Sequence, residues 1–445
     1  MRRWLMGGFV AIVGFVLLLV WSGPEMIRQM PGRYRYYLPS ELVAAVTTPL
    51  PPALPTVGPT AVLQAVLVPT ETAVPTITHT PSAETAVSPT PLQTNAETTA
   101  IPEPTATLLP TPAPTATPDP LPPTAQLSGL EIIPQKFNNC GPANLTMLLN
   151  YHGFPSEQLA VAAHIRPHYE DRNVTPSELV DYVESETGFK AVAYSGGTVR
   201  MLKELLALGL PVIVEKGLVS SDDEGWLGHY LTLSGYDEAE QAFTTLDTLL
   251  GPWEGDGEPL AYAELETFWQ QFNYTFVLVY PPEQDTAVFQ ILPHRELPDM
   301  WQAAAVKAQA DIDQTPDNAF AWFNLGTNLA RLGEINGDET TWATAAAAFD
   351  QARALGLPPR MLWYQFQPYV AYLANGRYQD VLTLAEATLI SQGGRHVEET
   401  YYYQGLALQA TEDLDGAQLA FKRATQIHPY YKLAEDALIA LRADG

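Results

Sequence analysis

From residue 47 to residue 124 the chain is dominated by proline, threonine and alanine, as in PTATLLPTPAPTATPDPLPPT, and no lysine or arginine occurs between Arg35 and Lys136. Such a stretch has too few large apolar groups to bury a core, and its prolines favour extended, solvated backbone. It reads as a stalk, and it confines folding to the residues beyond it. Arg2 and Arg3 precede it at a distance, followed by an apolar run over residues 4–21 that contains FVAIVGFVLLLVW. That run is long enough to span a bilayer, at the short end of the range. No A-x-A cleavage site follows, so residues 1–22 are expected to be an uncleaved signal anchor and transmembrane helix. Arginines flank the run on both sides, so charge does not set its orientation. A Pro/Thr-rich stalk directly after an anchor does. We expect a single-pass protein of the cell membrane whose folded domains are extracytoplasmic, with a disordered stalk over residues 23–126.

The formal net charge is −27 without any Lys/Arg-rich run, which argues against nucleic acid or anionic lipid as the main partner. One cysteine excludes an intrachain disulfide framework and a multi-cysteine zinc site. No cofactor and no metal is expected.

That cysteine stands in QKFNNCGPANLTMLLNYHG, residues 135–153. After Gly141 and Pro142, the spacing of Leu145, Leu148 and Leu149 predicts a helix that Gly153 ends. Pro142 suits the first turn, where a missing N–H costs nothing. Cys140 therefore opens a helix, where unpaired N–H groups and the positive end of the dipole favour a thiolate. Further on, Thr175-Pro176-Ser177-Glu178 is a capping box before a second marked helix. Residues 189–194 alternate as a strand, residues 199–208 read as helix, and PVIVE over residues 211–215 is a short buried strand. GHYLTLSGYD, a turn at residues 238–241 and AFTTLDT make a hairpin. A helix over residues 265–272 and the strand YTFVLVY over residues 274–280 come next. Helices first and a mainly antiparallel sheet afterwards make an α+β domain.

A thiolate nucleophile needs a base, a group that orients the base, and an oxyanion donor. His152 lies on the Cys140 helix about 18 Å away. His294, His396 and His428 fall outside the domain, and His164 and His168 flank Pro167 without a matched third metal ligand. His229 remains, beside the small Gly228 at the start of a strand. With the hairpin turn centred near Ala239, His229 pairs opposite Leu249 and Asp247 lies two residues off on the same face, within reach as a diagonal neighbour. Asp247 can then hold the imidazole tautomer. Gln135, five residues before Cys140, is a candidate oxyanion donor. The acidic loop SSDDEGW over residues 220–226 could select basic substrates with Trp226 walling a subsite, but it reads rather as a solvated loop with one packed aromatic.

Gln135, Asn139-Cys140-Gly141-Pro142-Ala143, Gly228-His229-Tyr230, Gly235-Tyr236-Asp237 and Asp247 together resemble the papain-fold cysteine peptidases related to the double-glycine-leader, bacteriocin-processing family. The resemblance covers residues 127–280, within a domain expected over residues 127–293. It implies Cys140 as nucleophile, His229 as general base, Asp247 as orienting residue and Gln135 as oxyanion donor, acting on a peptide or protein substrate. Two departures stand out: Thr248 occupies the place after the aspartate where the family usually has proline, and no G-x-x-x-x-G-K-[ST] loop of a fused exporter is present.

From Met300 the chain reads as helix throughout. Tyr401, Gly405, Leu408, Ala417, Phe421, Ala424 and Pro429 occupy the small, large and breaker positions of a 34-residue unit. An earlier copy has Trp322, Leu325, Gly326, Leu329, Ala345, Phe349 and Ala352, with an insertion near residues 334–341, and a middle copy keeps mainly its second helix. These residues resemble tetratricopeptide repeats. The resemblance implies an all-α superhelix over residues 299–445 with a groove for a protein partner or substrate. The function expected is a membrane-anchored cysteine peptidase. Its alternatives are a catalytically inactive peptide-binding scaffold, or a cell-wall peptide amidase that uses the same residues.

Overall fold

A computed structural model of the protein describes residues 53–56, 120–219, 225–391 and 393–443. The expected anchor, residues 1–22, most of the stalk and the acidic loop at residues 220–224 lie outside the described residues. Among the described residues no helix is long and apolar enough to cross a membrane.

Seven antiparallel strands among the described residues form one sheet: β1 (Thr124–Gln126), β2 (Lys190–Tyr194), β3 (Val212–Val219), β4 (Trp226–Asp237), β5 (Ala242–Leu246), β6 (Glu258–Ala261) and β7 (Phe276–Tyr280). Their order is β2-β7-β3-β4-β5-β6, with β1 also on β4. The central strands are apolar on both faces, and their period-2 alternation divides the core in two. Val212, Val214, Phe276, Leu278 and Tyr280 point one way. They meet α4 (Val199–Ala207) and α5 (Tyr262–Trp269). Ile213, Val277 and Val279 point the other way. There they meet α1 (Cys140–Tyr151), α2 (Gln158–Ile165) and α3 (Pro176–Glu186). The capping box forms as expected, with Thr175 and Glu178 satisfying each other's backbone N–H groups.

Folded structure starts earlier than residue 127. Strand β1 pairs Thr124, Ala125 and Gln126 with Asp237, Tyr236 and Gly235. Residues 53–56 are also placed: Leu54 is buried in the helical region, its N–H donates to Leu357 O at 3.2 Å, and Arg353 Nε donates to Pro55 O at 2.9 Å. Proline and threonine content alone hid both short contacts, each of which relies on a few residues meeting a surface made elsewhere. After β7 the chain carries α6 (Asp285–Ile291), whose Val288 is buried in the core on the α4 side of the sheet.

Beyond it the described residues form eight α-helices, α7 (Asp299–Gln314), α8 (Ala319–Asn336), α9 (Glu339–Leu355), α10 (Gln367–Ala374), α11 (Tyr378–Ile390), α12 (Glu398–Ala410), α13 (Leu414–Ile427) and α14 (Lys432–Ala443). Small residues let neighbouring helices approach closely. A Cβ on Gly326 would stand 2.8 Å from the Phe349 ring, and one on Gly405 would stand 2.4 Å from Phe421. The extra residues near 334–341 lengthen α8 and α9 to either side of Gly337 rather than forming a long loop. The helices bury polar as well as apolar groups against the sheet domain. Asn273 and Asn328 exchange amide hydrogen bonds at 2.6 and 3.2 Å, and Asn324 donates to Gln270 O at 2.7 Å.

Candidate active site

Strand β5 pairs with β4 only as far as Leu246 opposite Thr232. Beyond that point β4 runs on alone on this edge, and the backbone groups of Tyr230 face the gap. The head of α1 fills it. Asn144, one helical turn after Cys140 and fully buried, donates to Tyr230 O at 3.0 Å, to Cys140 O at 2.8 Å and to Thr248 Oγ1 at 3.3 Å. Its own oxygen accepts from Thr232 Oγ1 at 2.7 Å. The Tyr230 N–H is aimed at the Cys140 sulfur, as is the N–H of Gly141. One asparagine thus locks the helix that Cys140 opens to the strand that carries His229.

The helix head stays open because its N-cap does not cap. Asn139 makes no cap hydrogen bond. Its oxygen accepts from Arg166 Nη2 at 2.6 Å. With the Gly141 N–H on the sulfur, no N–H at Pro142 and the Ala143 N–H on Asn139 O at 2.9 Å, the Cys140 N–H is the one left for another anion at this helix head.

His229 is 2 % exposed, and its Nε2 lies 3.0 Å from Asp247 Oδ1. That pairing leaves Nδ1 as the ring atom for the side-chain hydrogen bond to Cys140. Asp247 is itself fixed: Oδ1 accepts from the N–H groups of Leu249 and Leu250, both at 2.8 Å. Sharing a face between His229 and Asp247 depends on a β-bulge. The turn is closed by Asp237 opposite Ala242, a register that alone would set Leu250 opposite His229 and turn Asp247 to the other side. One extra residue, Ser234, sits unpaired between Leu233 and Gly235 and restores the alignment. A turn centred at Ala239 with no bulge gives the same final register, because the two omissions cancel.

Burial works against charge on both partners, and their mutual attraction outweighs it. Desolvation raises the Cys140 pKa, but the hydrogen bond and charge of His229, with the two backbone N–H groups, hold it below the usual thiol value. Desolvation lowers that of His229, but Asp247 and Cys140 push it up to about 9. Asp247, although desolvated, is held below the ordinary carboxylate value by His229 and the two amides. The site is thus built for a thiolate–imidazolium pair over a carboxylate.

Gln135 is placed beside this group by two bonds to Thr248. Its backbone N–H donates to Thr248 O at 2.9 Å, and its side-chain oxygen accepts from Thr248 Oγ1 at 2.8 Å. With the oxygen engaged, the amide nitrogen points away from Thr248. Gln158 holds the loop before Cys140 through Lys136 N and Pro134 O, both at 2.9 Å.

The structure therefore brings Cys140, His229, Asp247 and Gln135 into one neighbourhood. Sequence reading missed Asn144, a polar residue on an apolar helical stripe and so visible in principle. It also missed the part played by Thr248, noted only as a departure. Tyr364 had no local signal. It comes from the helical region, is hydrogen-bonded to the Gly228 backbone, and lies close enough to Cys140 for their charges to interact. A Cβ on Gly228 would meet Phe272 at 2.7 Å and Tyr364 at 3.0 Å, so only glycine fits beside the base. Trp226 is packed rather than open, stacked on Phe272 with ring centroids 5.5 Å apart and donating to Gln271 Oε1 at 2.6 Å. The other histidines stand apart: His152 meets Val279 O at 2.9 Å, and His164 is paired loosely with Glu186 at 4.0 Å.

Among the described residues, no grouping of metal ligands lies at this site. Comparison with known proteins agrees on the class of domain. No curated protein matches the chain. Among solved structures, a protein described as a C39-like peptidase from Bacillus anthracis is similar at 16% identity and a TM-score of 0.29, over 35% of this chain and 97% of that one. Residues 119–277 match the model of the Peptidase_C39 like family, which gives the sheet domain a C39-related cysteine peptidase fold.

Proposed function

We propose that the protein hydrolyses peptide or closely related amide bonds by a Cys-His-Asp mechanism, with Cys140 as nucleophile, His229 as base and acid, Asp247 as the orienting carboxylate and Gln135 as oxyanion donor. One observation carries this reading: Nε2 of His229 is engaged by Asp247, so its other nitrogen serves the Cys140 sulfur at the open head of α1. In this mechanism the thiolate attacks the carbonyl carbon. The oxyanion is met by the Gln135 amide and the Cys140 N–H at the helix head. His229 then gives its proton to the leaving amine, the C–N bond breaks, and a thioester remains. Water, deprotonated by His229, releases the acyl group and restores the pair. The matched family supports peptide or protein as substrate.

In this reading residues 1–22 anchor the protein in the cell membrane, the stalk places the folded part outside the cytoplasm, and the helices form tetratricopeptide-like repeats. The Gly326–Phe349 and Gly405–Phe421 contacts support the repeats. Tyr364 makes the helical region part of the cleft wall, so it contributes to substrate binding at the site itself as well as offering a groove to a partner. The test is the pH profile of Cys140 alkylation by iodoacetamide, alongside proteome-wide cleavage by wild type and Cys140→Ala. Labelling that persists well below pH 7, with cleavages lost in the variant, supports the peptidase. A profile centred near 8.5, that of an isolated thiol, would instead favour a scaffold that only grips peptides.

A further inference from the structure

Away from the catalytic group, the sheet domain and the helical region meet over a second set of ionisable side chains. Glu178 of α3, Glu398 at the head of α12 and His428 just after α13 offer ligand atoms that all lie within 4.8 Å of one another. Glu398 is 2 % exposed and His428 7 % exposed. Oε2 of Glu398 and Nδ1 of His428 have no hydrogen-bond partner. The His428 ring faces the carbonyls of Ile165 and of His428 itself, and the Ile165 contact falls to Nε2 because Nδ1 makes no hydrogen bond among the described residues. Glu178 uses Oε2 for Thr175 N and Oγ1 at 2.7 and 2.9 Å, which leaves Oε1. Among the described residues neither glutamate forms an ion pair, and two further carboxylates, Asp171 and Glu399, are buried next to them. The neighbouring cation, Arg166, directs Nη1 and Nη2 to the carbonyls of Phe137, His168, Tyr169 and Asp171 and to Asn139, and its Nε has no partner among the described residues.

Buried carboxyl groups and an imidazole with orphaned lone pairs cost free energy unless protons or a cation join them. We propose that Glu178, Glu398 and His428 bind one divalent first-row transition ion, Zn²⁺ being the best match, and that this ion pins the helical region to the sheet domain. The mixed oxygen and imidazole set suits Zn²⁺ better than Ca²⁺ or Mg²⁺, which prefer oxygen alone. A ligating histidine whose other nitrogen donates to a backbone carbonyl has its tautomer fixed for the metal. Tetrahedral Zn²⁺ at about 2.0–2.2 Å from each atom needs ligand atoms about 3.4 Å apart, so the trio closes by no more than about 1.5 Å. The absence of cysteine clusters, from which no metal was expected, does not bear on a site of this composition.

The purified full chain, stripped with chelator and titrated with Zn²⁺, Mn²⁺ and Ca²⁺, gives the test by calorimetry, elemental analysis and thermal midpoint. The expected result is one Zn²⁺ per chain and a midpoint raised by about 5 °C or more at a hundredfold excess over Kd. Glu398→Gln and His428→Ala should each weaken binding by roughly a hundredfold or more. Glu398→Gln should also match or exceed the wild-type midpoint in chelator, since it removes one of several crowded carboxylates and shows that the variant folds. No Zn²⁺-dependent rise in the wild type would overturn the proposal. So would a rise that survives both variants and vanishes in His396→Ala, because His396, stacked on His168 and 3.3 Å from Glu170, would then hold the ion.

Discussion

The edge of β4 and the junction of α3, α12 and α13 both bury charge, and they resolve it differently. Along β4, each polar atom of Asn144 has a partner, and Cys140, His229 and Asp247 are balanced through donors supplied by the backbone. At the junction, Glu398 and His428 keep atoms that no described residue satisfies. A closed network loses stability or function when any member is removed, because the partner is stranded. An open one can be improved by removing a member. That contrast separates a group whose polar atoms are satisfied by the polypeptide from one in which some are left open.

The largest expected effect is at the base. His229→Ala removes the cation that ionises Cys140, and alkylation at pH 6.5 should fall by roughly a hundredfold, toward a free thiol near 8.5. A rate within threefold of wild type would detach the sulfur from the imidazole. Asp247→Asn should lower turnover by about 10²–10⁴ and move the upper limb of the pH–rate profile down from about 9. The sign comes from the raised His229 value. The stability Asp247 confers through it is fully present below about pH 6.5 and is lost as pH rises through about 9. Denaturant melts at pH 6 and pH 10 would show that loss in wild type and little of it in the variant.

Asn144→Ala strands the Tyr230 carbonyl and the Thr232 hydroxyl, and should cost about 2–4 kcal/mol in chemical denaturation. A loss under 1 kcal/mol would mean the network is not closed. Thr248→Val frees the Gln135 amide to rotate. Turnover should fall about tenfold with KM little changed, at a stability cost of about 1 kcal/mol. Glu215→Gln comes last. Burial pushes that carboxyl well above its usual value, so it is already neutral beside Tyr230. The amide should leave turnover within about twofold, and a larger drop in kcat would give Glu215 a charge the network does not expect.

How much of this could be read from sequence differs by element. Cys140 and the helix it opens are legible in Pro142 and the leucine spacing, and the two-sided strands in unbroken apolar runs. The pairing of His229 with Asp247 came from counting across a hairpin, where turn length and bulge each shift the count and are invisible to periodicity. Asn144 could have been singled out as the one amide on an apolar stripe. Tyr364 could not, because 135 residues of chain separate it from His229 and only tertiary docking joins them. The junction cluster escaped for the same reason: Glu178 served visibly as a capping residue, and nothing local links it to positions more than two hundred residues downstream.

The unpaired Ser234 has a consequence for how this hairpin tolerates changes in length. It is the one place in β4 where the chain carries a spare residue, since Leu233 faces Thr245 and Gly235 faces Thr244 with nothing opposite Ser234. Excising it would let the two strands run straight and leave His229 looking in the same direction. Losing a residue between it and His229 would instead rotate the imidazole to the far side of the sheet. The hairpin thus has an expansion joint, and a shortened version of it should keep its chemistry only when the residue is dropped there.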